Sequence, residues 1–246
     1  MKYFIDVKIQ GSNIIEKIFA DCMPAPFLSI LTNDCIAKGK DYNAGGARYN
    51  TKYLQGVGIG TITDCLAAVK YNVYDKKNFT MDELMAALDD NFIGHERILN
   101  LVKNHSPKYG NDDEYADEIM KQVFEYYQGE VTGRPNMLGG MYRVNMLPTT
   151  CHVYFGEVMM ASANGRLAHV PVSEGISPEK GADVNGPTAV IKSCAKMDHL
   201  MTGGTLLNQK FTPSVVAGEE GLNQMASLIR SYFNMDGHHI QFNVID

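Results

Sequence analysis

The stretch Pro171–Ala189, PVSEGISPEKGADVNGPTA, sets the first expectation for the fold. It has neither the alternation of a half-buried strand nor the period of a helix. It contains three glycines and three prolines, which predict a shaped and ordered loop, because glycine can adopt positive φ and proline fixes φ. The polar residues between them can satisfy the backbone of a loop that lies inside the protein. An ordinary surface connection is the alternative.

Helices and short strands are predicted on both sides of this loop. The loop ends at a helix start, with Asn185 or Gly186 near the N-cap and Pro187 in the first turn. The apolar spacing predicts further helices over 3–22, 27–36, 61–71, 80–92, 95–103, 111–127 and 219–234, and strands over 47–50, 141–156, 205–211 and 240–245. Strands that are separated by helices favour parallel pairing and an α/β architecture.

Composition excludes several classes of protein. The 246 residues are 45% hydrophobic, which is enough for one domain or part of a larger one. A net charge of -6 argues against a nucleic-acid partner. No apolar run approaches the ~20 residues of a membrane span, and no secretory segment is present, so a cytoplasmic protein without a membrane partner is expected. The five scattered cysteines indicate free thiols, with neither a disulfide framework nor a zinc site.

The motifs do not assemble into a self-sufficient catalytic site or a metal site. Gly56-Val-Gly-Ile-Gly60 resembles a phosphate loop, but no long strand precedes it, so close packing is favoured. Asp112, Asp113 and Glu114 are interpreted as a solvated helix start. Cys151 and His152 are neighbours on a predicted strand and would point to opposite faces. His238-His239 is interpreted as part of a surface turn or a structural hydrogen bond.

Five segments together resemble the glycyl radical enzymes of the pyruvate formate-lyase type. They are the loop itself, Asn43–Asn50 (NAGGARYN), Tyr109–Asp113 (YGNDD), Met201–Phe211 (MTGGTLLNQKF) and Gly237–Asp246 (GHHIQFNVID). They occur in the family's order over nearly the whole chain. The dehydratase and C–X lyase branch of the family is the most similar.

The resemblance implies a fold and the residue types that carry the reaction. Residues 1–246 would be a single partial domain, about half of a ten-stranded α/β barrel with helices packed outside. In these anaerobic enzymes a glycine near the C-terminus stores a radical, which a separate S-adenosylmethionine-dependent iron–sulfur activating enzyme installs, and a cysteine attacks the substrate C–H bond. The family motifs Gly-Cys-(Ile/Val)-Glu and Arg-Val-(Ser/Ala)-Gly-(Tyr/Phe) are both absent from the chain. We therefore expect no radical domain, no catalytic residue, no bound cofactor, and no activity from this chain alone.

The resemblance also implies a substrate pocket. Leu147 and Thr149 match positions that line the pocket in the hydroxyproline-dehydrating members of the branch, so we assign both to substrate binding. On the residues alone, Thr149, Thr150 and His152 would instead be buried groups that are bonded to the backbone or packed in the core. Arg166 and Glu174 are weaker candidates, for which a role in scaffolding the loop is favoured.

Three functions follow from the resemblance. The intact enzyme would remove water from trans-4-hydroxy-L-proline or a related small hydroxylated substrate, as a homodimer. It could instead be a formate C-acetyltransferase, or a lyase of the choline or glycerol type. The chain could also be a non-catalytic partner that completes a split enzyme. Open strand edges and bare apolar surface predict that the isolated chain aggregates or dimerises.

Overall fold

The computed structural model describes residues 1–245, which form two compact units. One unit contains Met1–Leu54 and Tyr126–Val144, and the other contains Gln55–Glu125 and the chain from Asn145 onwards. The helices are α1 Lys2–Cys22, α2 Pro26–Leu31, α3 Cys35–Lys38, α4 Ile59–Val69, α5 Met81–Asp89, α6 Glu96–Asn104, α7 Glu114–Val131, α8 Cys151–Val158, α9 Pro187–Ala195 and α10 Gly218–Asn234. The strands are β1 Lys52–Gln55, β2 Tyr142–Met146, β3 Thr202–Thr205, β4 Leu207–Phe211 and β5 Ile240–Val244.

The strands form two small sheets that contain parallel pairs. The first sheet has the order β1-β2-β3. Lys52 N–H donates to Met141 O and Gly56 N–H donates to Asn145 O, so donors and acceptors advance together and β1 runs parallel to β2. In the second sheet β4 pairs with β5 in parallel, and α10 lies in the connection between them. The α/β fold class with parallel strands is therefore confirmed.

In the first unit, the segment around Gly45-Gly46 does not form the short strand that was predicted over 47–50. Tyr42–Ala44 form a single 3-10 turn instead. Gly45 has a φ of 85°, and a Cβ at this position would lie 2.7 Å from Leu138 O, so only glycine allows this approach of two backbones. The chain becomes extended only afterwards, in β1.

In the second unit, the local signals for helix ends are confirmed. Thr80 and Glu83 form a complete capping box at the start of α5, as their spacing predicts. Gly186 is the N-cap of α9, and Pro187 occupies its first turn. α5 packs with α4 and α6 around a cluster of buried apolar residues: Ala68, Phe79, Leu84, Ala87, Phe92, Ile98 and Val102.

Two helices bury faces that their apolar residues alone do not identify. Ile62 and Leu66 of α4 are exposed, and the helix instead buries small and polar residues that include Thr63 and Asp64. In α10, Leu222 is exposed and Tyr232 is fully buried. In α4 the packing against close neighbours, and not the largest apolar side chains, decides which face turns inward. In α10 the inward face carries Leu228 and Tyr232.

The predicted strand over 141–156 is half wrong. β2 ends at Met146, and α8 begins at Cys151 after a turn that contains Pro148. Proline cannot donate to a sheet, and Thr149 takes a φ of 53°, so the strand cannot continue. Cys151 and His152 consequently lie on a helix, and the strand-based reason for keeping them apart does not apply.

Candidate functional site

The segment Val172–Ser177 of the glycine- and proline-marked loop lies inside the second unit. Val172, Ser173 and Ile176 are buried. Ile176 N–H donates to Leu206 O over 2.9 Å, and Leu206 N–H donates to Met146 O over 3.1 Å. The loop is therefore joined by backbone hydrogen bonds to the connection between β3 and β4, and through it to the end of β2. This part of the loop is an interior structure and not a surface connection.

The contact between the loop and Leu206 requires glycine at position 175. Its φ is 53°, and a Cβ there would collide with Leu206 O and approach Met146 O to 3.2 Å. Next to it, the Glu174 carboxylate accepts a hydrogen bond from the side chain of Asn208. Glu174 thus fastens the loop to β4, as expected of a scaffolding residue.

The turn Leu147–Thr149, which we call the β2 end, carries the two residues assigned to substrate binding. Leu147 N–H is held by Asn145 Oδ1 at 2.7 Å and Gln55 Oε1 at 3.1 Å, and Gln55 Nε2 donates back to Leu147 O over 2.7 Å. The backbone of Leu147 is thereby fixed on both sides. The side chain of Leu147 is only partly buried.

Thr149 is exposed and strained. Its φ of 53° lies in the left-handed region, which is unfavourable for a β-branched residue. Its hydroxyl donates to Pro148 O over 2.7 Å, and the side chain faces solvent and not a core. The interpretation of Thr149 and Thr150 as buried hydroxyls is therefore wrong. Strained residues of this kind concentrate at functional sites, so the geometry of Thr149 supports its assignment.

Leu147 packs onto Gly204 of the neighbouring strand β3. The position of a Cβ on Gly204 would lie 2.6 Å from Leu147 Cδ1 and 3.3 Å from His238 Cε1. His238 Nδ1 accepts a long hydrogen bond of 3.5 Å from Thr205 N–H. The structure therefore brings Leu147 together with two residues, Gly204 and His238, that sequence reasoning did not connect with it.

A buried polar network lies next to this contact. His199 Nδ1 is hydrogen-bonded to Thr205 Oγ1 at 2.8 Å, and His199 Nε2 to Cys194 O at 3.0 Å. The Tyr232 ring packs edge-on against His199. Burial lowers the pKa of His199 and favours its neutral form. The network fixes the backbone of β3 behind the β2 end.

Arg166 is a scaffold of the loop that precedes this region. Its guanidinium donates to Ser162 Oγ at 3.0 Å, Leu167 O at 3.1 Å and Val170 O at 2.6 Å, and also to Met160 O. All of these partners lie within six residues of Arg166, so its guanidinium holds one loop together.

A second polar group, which the sequence did not predict, surrounds a cavity of about 200 Å³. Asp64 is fully buried there, and its Oδ1 accepts Tyr109 N–H at 2.8 Å. Burial raises the pKa of Asp64 to about 7 and lowers the pKa of the nearby Lys108. Burial also raises the pKa of Glu179, whose carboxylate accepts a hydrogen bond from Thr61. These groups join α4 to the loops that contain Tyr109 and Glu179. Their hydrogen bonds hold these segments together.

The part of the chain that the structure describes offers neither a cluster of metal ligands nor a membrane span. Within residues 1–245, no three His, Cys, Asp or Glu side chains converge in a way that could hold an ion. Asp112, at the start of α7, instead pairs with Lys192 at 3.0 Å. Over the same residues, no helix combines the length and the apolar character that crossing a membrane requires.

Two family models match this chain. The model described as pyruvate formate lyase-like matches residues 1–156, and the model described as glycine radical matches residues 172–246. The second match falls on residues for which no radical domain was expected. The two radical motifs themselves are absent from the 246 residues. That residues 1–246 form a single partial domain stays a prediction.

Curated relatives and solved structures match over the full chain. Trans-4-hydroxy-L-proline dehydratase from Clostridioides difficile is 70% identical and covers 100% of this chain, which is 31% of that protein. The crystal structure of hydroxyproline dehydratase from the same species, with trans-4-hydroxy-L-proline bound, matches with a TM-score of 0.97 over 100% of this chain and 31% of that one. The glycerol-bound B12-independent glycerol dehydratase from Clostridium butyricum has 42% identity and a TM-score of 0.95, with coverage of 100% and 31%. The chain thus spans about a third of the length of these relatives.

Proposed function

The chain belongs to the pyruvate formate lyase-like family, and from this premise we propose that it is part of a glycyl radical dehydratase that removes water from trans-4-hydroxy-L-proline. The observation that carries the proposal is the difference in identity between relatives. Identity is 70% to the dehydratase that acts on this substrate and 36% to the sulfopropanediol dehydratase from Klebsiella oxytoca. A nearly doubled identity over the same residues favours a shared substrate as well as a shared fold.

The proposed contribution of this chain is one wall of the pocket. Leu147 would supply an apolar surface, and the Thr149 hydroxyl would orient a polar group of a small substrate. The bonds from Gln55 and Asn145 to the Leu147 backbone pre-organise this wall before the substrate arrives. The strain at Thr149 supports the proposal, because residues in unfavourable backbone conformations concentrate at functional sites.

The reactive groups would be supplied by polypeptide other than this chain, because both radical motifs are absent from it. In the intact enzyme a glycyl radical, installed by an S-adenosylmethionine-dependent iron–sulfur activating enzyme, would be the radical store, and a cysteine outside this chain would attack the substrate C–H bond. The residues described here would bind, orient and exclude water, as part of a ten-stranded barrel closed around the substrate. We further propose that the intact enzyme is a homodimer in the cytoplasm of an anaerobic organism.

The second candidate is a dehydratase for a small diol. The glycerol dehydratase match at 42% identity and the 1,2-propanediol-dehydrating enzyme from Roseburia inulinivorans at 39% identity favour it over the acyl transfer of a formate C-acetyltransferase. A chain that completes a split enzyme is a third possibility, which co-purification with a polypeptide bearing the Gly-Cys-(Ile/Val)-Glu motif would support.

A hybrid enzyme tests the proposal. Residues 1–246 replace the segment that they match in the C. difficile dehydratase, and the hybrid is activated without oxygen. Formation of the glycyl radical, measured by electron paramagnetic resonance, is the control for folding and activation. We expect loss of water from trans-4-hydroxy-L-proline, with little turnover of glycerol or 1,2-propanediol. A hybrid that carries the radical but prefers a diol would refute the proposed substrate.

A further inference from the structure

The contact between Leu147 and Gly204 is possible only because position 204 has no side chain. A Cβ there would lie 2.6 Å from Leu147 Cδ1 and 3.6 Å from Leu147 Cγ. Both distances are below or close to ordinary van der Waals contact, and the first cannot occur without a displacement. The terminal methyl of Leu147 therefore occupies space that any other residue at position 204 would take.

The backbones on both sides of this contact are held in place. Gly204 N–H donates to Thr202 Oγ1 over 3.1 Å, and the next residue, Thr205, is fully buried and bonded to His199. Leu147 is clamped by the side chain of Gln55. The part that can yield is the flexible end of the Leu147 side chain. On the other side, His238 Cε1 lies 3.3 Å from the same Cβ position, so the space is closed from two directions.

We propose that Gly204 is a specificity-determining residue of the substrate pocket, because its missing side chain sets the position of Leu147. This inference rests on the proposed function, in which Leu147 forms a wall of the pocket. A methyl group at position 204 would push Leu147 away from β3 and change the shape of that wall. A one-methyl change of shape in a pocket for a small substrate is worth roughly 10- to 100-fold in discrimination.

A backbone effect has to be separated from this side-chain effect. Gly204 has a φ of 145°, in a region that glycine tolerates and other residues disfavour. Alanine at position 204 would therefore carry strain in addition to the clash. The strain does not depend on which residue occupies position 147, whereas the clash does. A double-mutant cycle distinguishes the two.

The test uses Gly204→Ala, Leu147→Ala and the double variant in the complete, activated enzyme that carries this chain. We expect Gly204→Ala to raise the KM for trans-4-hydroxy-L-proline about 10-fold or more in the wild-type background, and to change it less than about 2-fold when Leu147 is already alanine. Gly94→Ala is a control for alanine at a positive-φ glycine without a steric neighbour, since Gly94 has a φ of 78° and open space around its Cβ position. Equal effects of Gly204→Ala in both backgrounds would overturn the inference.

Folding gives an independent readout. If Gly204→Ala lowers the thermal unfolding midpoint of the complete enzyme, the double variant is expected to recover part of the loss, because the clash is gone. A double variant that is destabilised by the sum of the two single effects would also overturn the inference. A wild-type enzyme that carries the radical but leaves trans-4-hydroxy-L-proline untouched would refute the proposed function, while the coupling of the melting midpoints would still report on the contact.

Discussion

The Asp64 carboxylate and the Lys108 ammonium lie 4.0 Å apart in the second unit without a direct hydrogen bond between them. Asp64 Oδ2 has no hydrogen-bond partner among the residues the structure describes, while Lys108 Nζ donates to Asn164 O over 3.1 Å. This is an incompletely satisfied buried ion pair beside a cavity. Its energetic consequence is a dependence of stability on pH.

The first prediction concerns that dependence. The pKa of Asp64 is about 7 in the folded protein, above its ordinary value of 3.8. Well below pH 3.8 the carboxyl is protonated in both states, and as the pH rises towards 7 the unfolded state loses its proton first. The contribution of Asp64 to the free energy of unfolding therefore decreases over this range, by up to about 4 kcal/mol at ~1.4 kcal/mol per pKa unit.

Asp64→Asn removes this titration. We expect the free energy of unfolding of the variant, relative to wild type, to increase between pH 4 and pH 8, as measured by urea unfolding at each pH. Asp89→Asn changes an exposed carboxylate at the end of α5 and is the matched control. Parallel curves for Asp64→Asn and wild type would contradict the expectation. Lys108 and Glu179 face Asp64 and are unchanged in both proteins.

The second prediction concerns the buried hydroxyl of Tyr109. It donates to Ile176 O over 2.8 Å and lies 3.1 Å from Cys194 Sγ. Tyr109→Phe leaves Ile176 O with only the weaker donor Cys194 Sγ, which lies 3.6 Å away, so we expect a loss of about 1–3 kcal/mol in the free energy of unfolding. Tyr154→Phe, at an exposed tyrosine of α8, should change it by less than about 0.5 kcal/mol. Equal effects of the two substitutions would show that the loop does not depend on this bond.

The third prediction separates stability from binding at Thr149. Thr149→Gly relieves the left-handed strain, so it should leave the free energy of unfolding unchanged or raise it by about 1 kcal/mol, although a side chain is lost. In the activated complete enzyme the same variant should raise the KM for the substrate. Thr149→Ser keeps the hydroxyl and should retain a KM near that of wild type. A Thr149→Gly enzyme with unchanged KM would remove Thr149 from the pocket.

The fourth prediction concerns the start of α5. Thr80→Ala removes the hydroxyl that accepts Glu83 N–H over 3.2 Å. We expect a loss of about 1 kcal/mol in the free energy of unfolding, with no change in the KM of the complete enzyme. Thr80→Ser keeps the cap and is the control. A loss that serine does not rescue would point to the methyl group and not to the cap.

The fifth prediction concerns the chain by itself. Incubated with an activating enzyme and reductant, the 246-residue chain should give no glycyl doublet in electron paramagnetic resonance, because the motif of the radical glycine is absent from it. The hybrid enzyme is the positive control. A doublet from the chain alone would refute this expectation.

The sequence predicted best those features that depend on neighbours along the chain. The capping box at Thr80, the Gly186-Pro187 start of α9 and the strand β5 are all local signals, and the structure confirms them. The strand predicted over 141–156 was wrong at α8 for a local reason as well. A β-branched residue rarely takes a positive φ, so the turn at Thr149 could not be predicted.

Features that depend on distant segments were not predictable from periodicity. Asp64 is buried because loops more than forty residues away cover α4, and one of them supplies Tyr109 N–H. The contact between Leu147 and Gly204 likewise joins residues that are far apart in the chain. The positions of Leu147 and Thr149 came from family resemblance, and their role in binding stays a prediction.

The parallel pairing of β4 and β5 has a consequence for the order of folding. The register from Leu207↔Ile240 to Phe211↔Val244 cannot close through a hairpin, because the chain must return across α10 before the second strand can add. Such a long closure is entropically slow, so α10 should gain amide protection before either strand. In pulse-labelling hydrogen exchange, the amides of β4 and β5 should then become protected together and late, and that interval is when the unpaired strand β4 is open to pairing with another molecule.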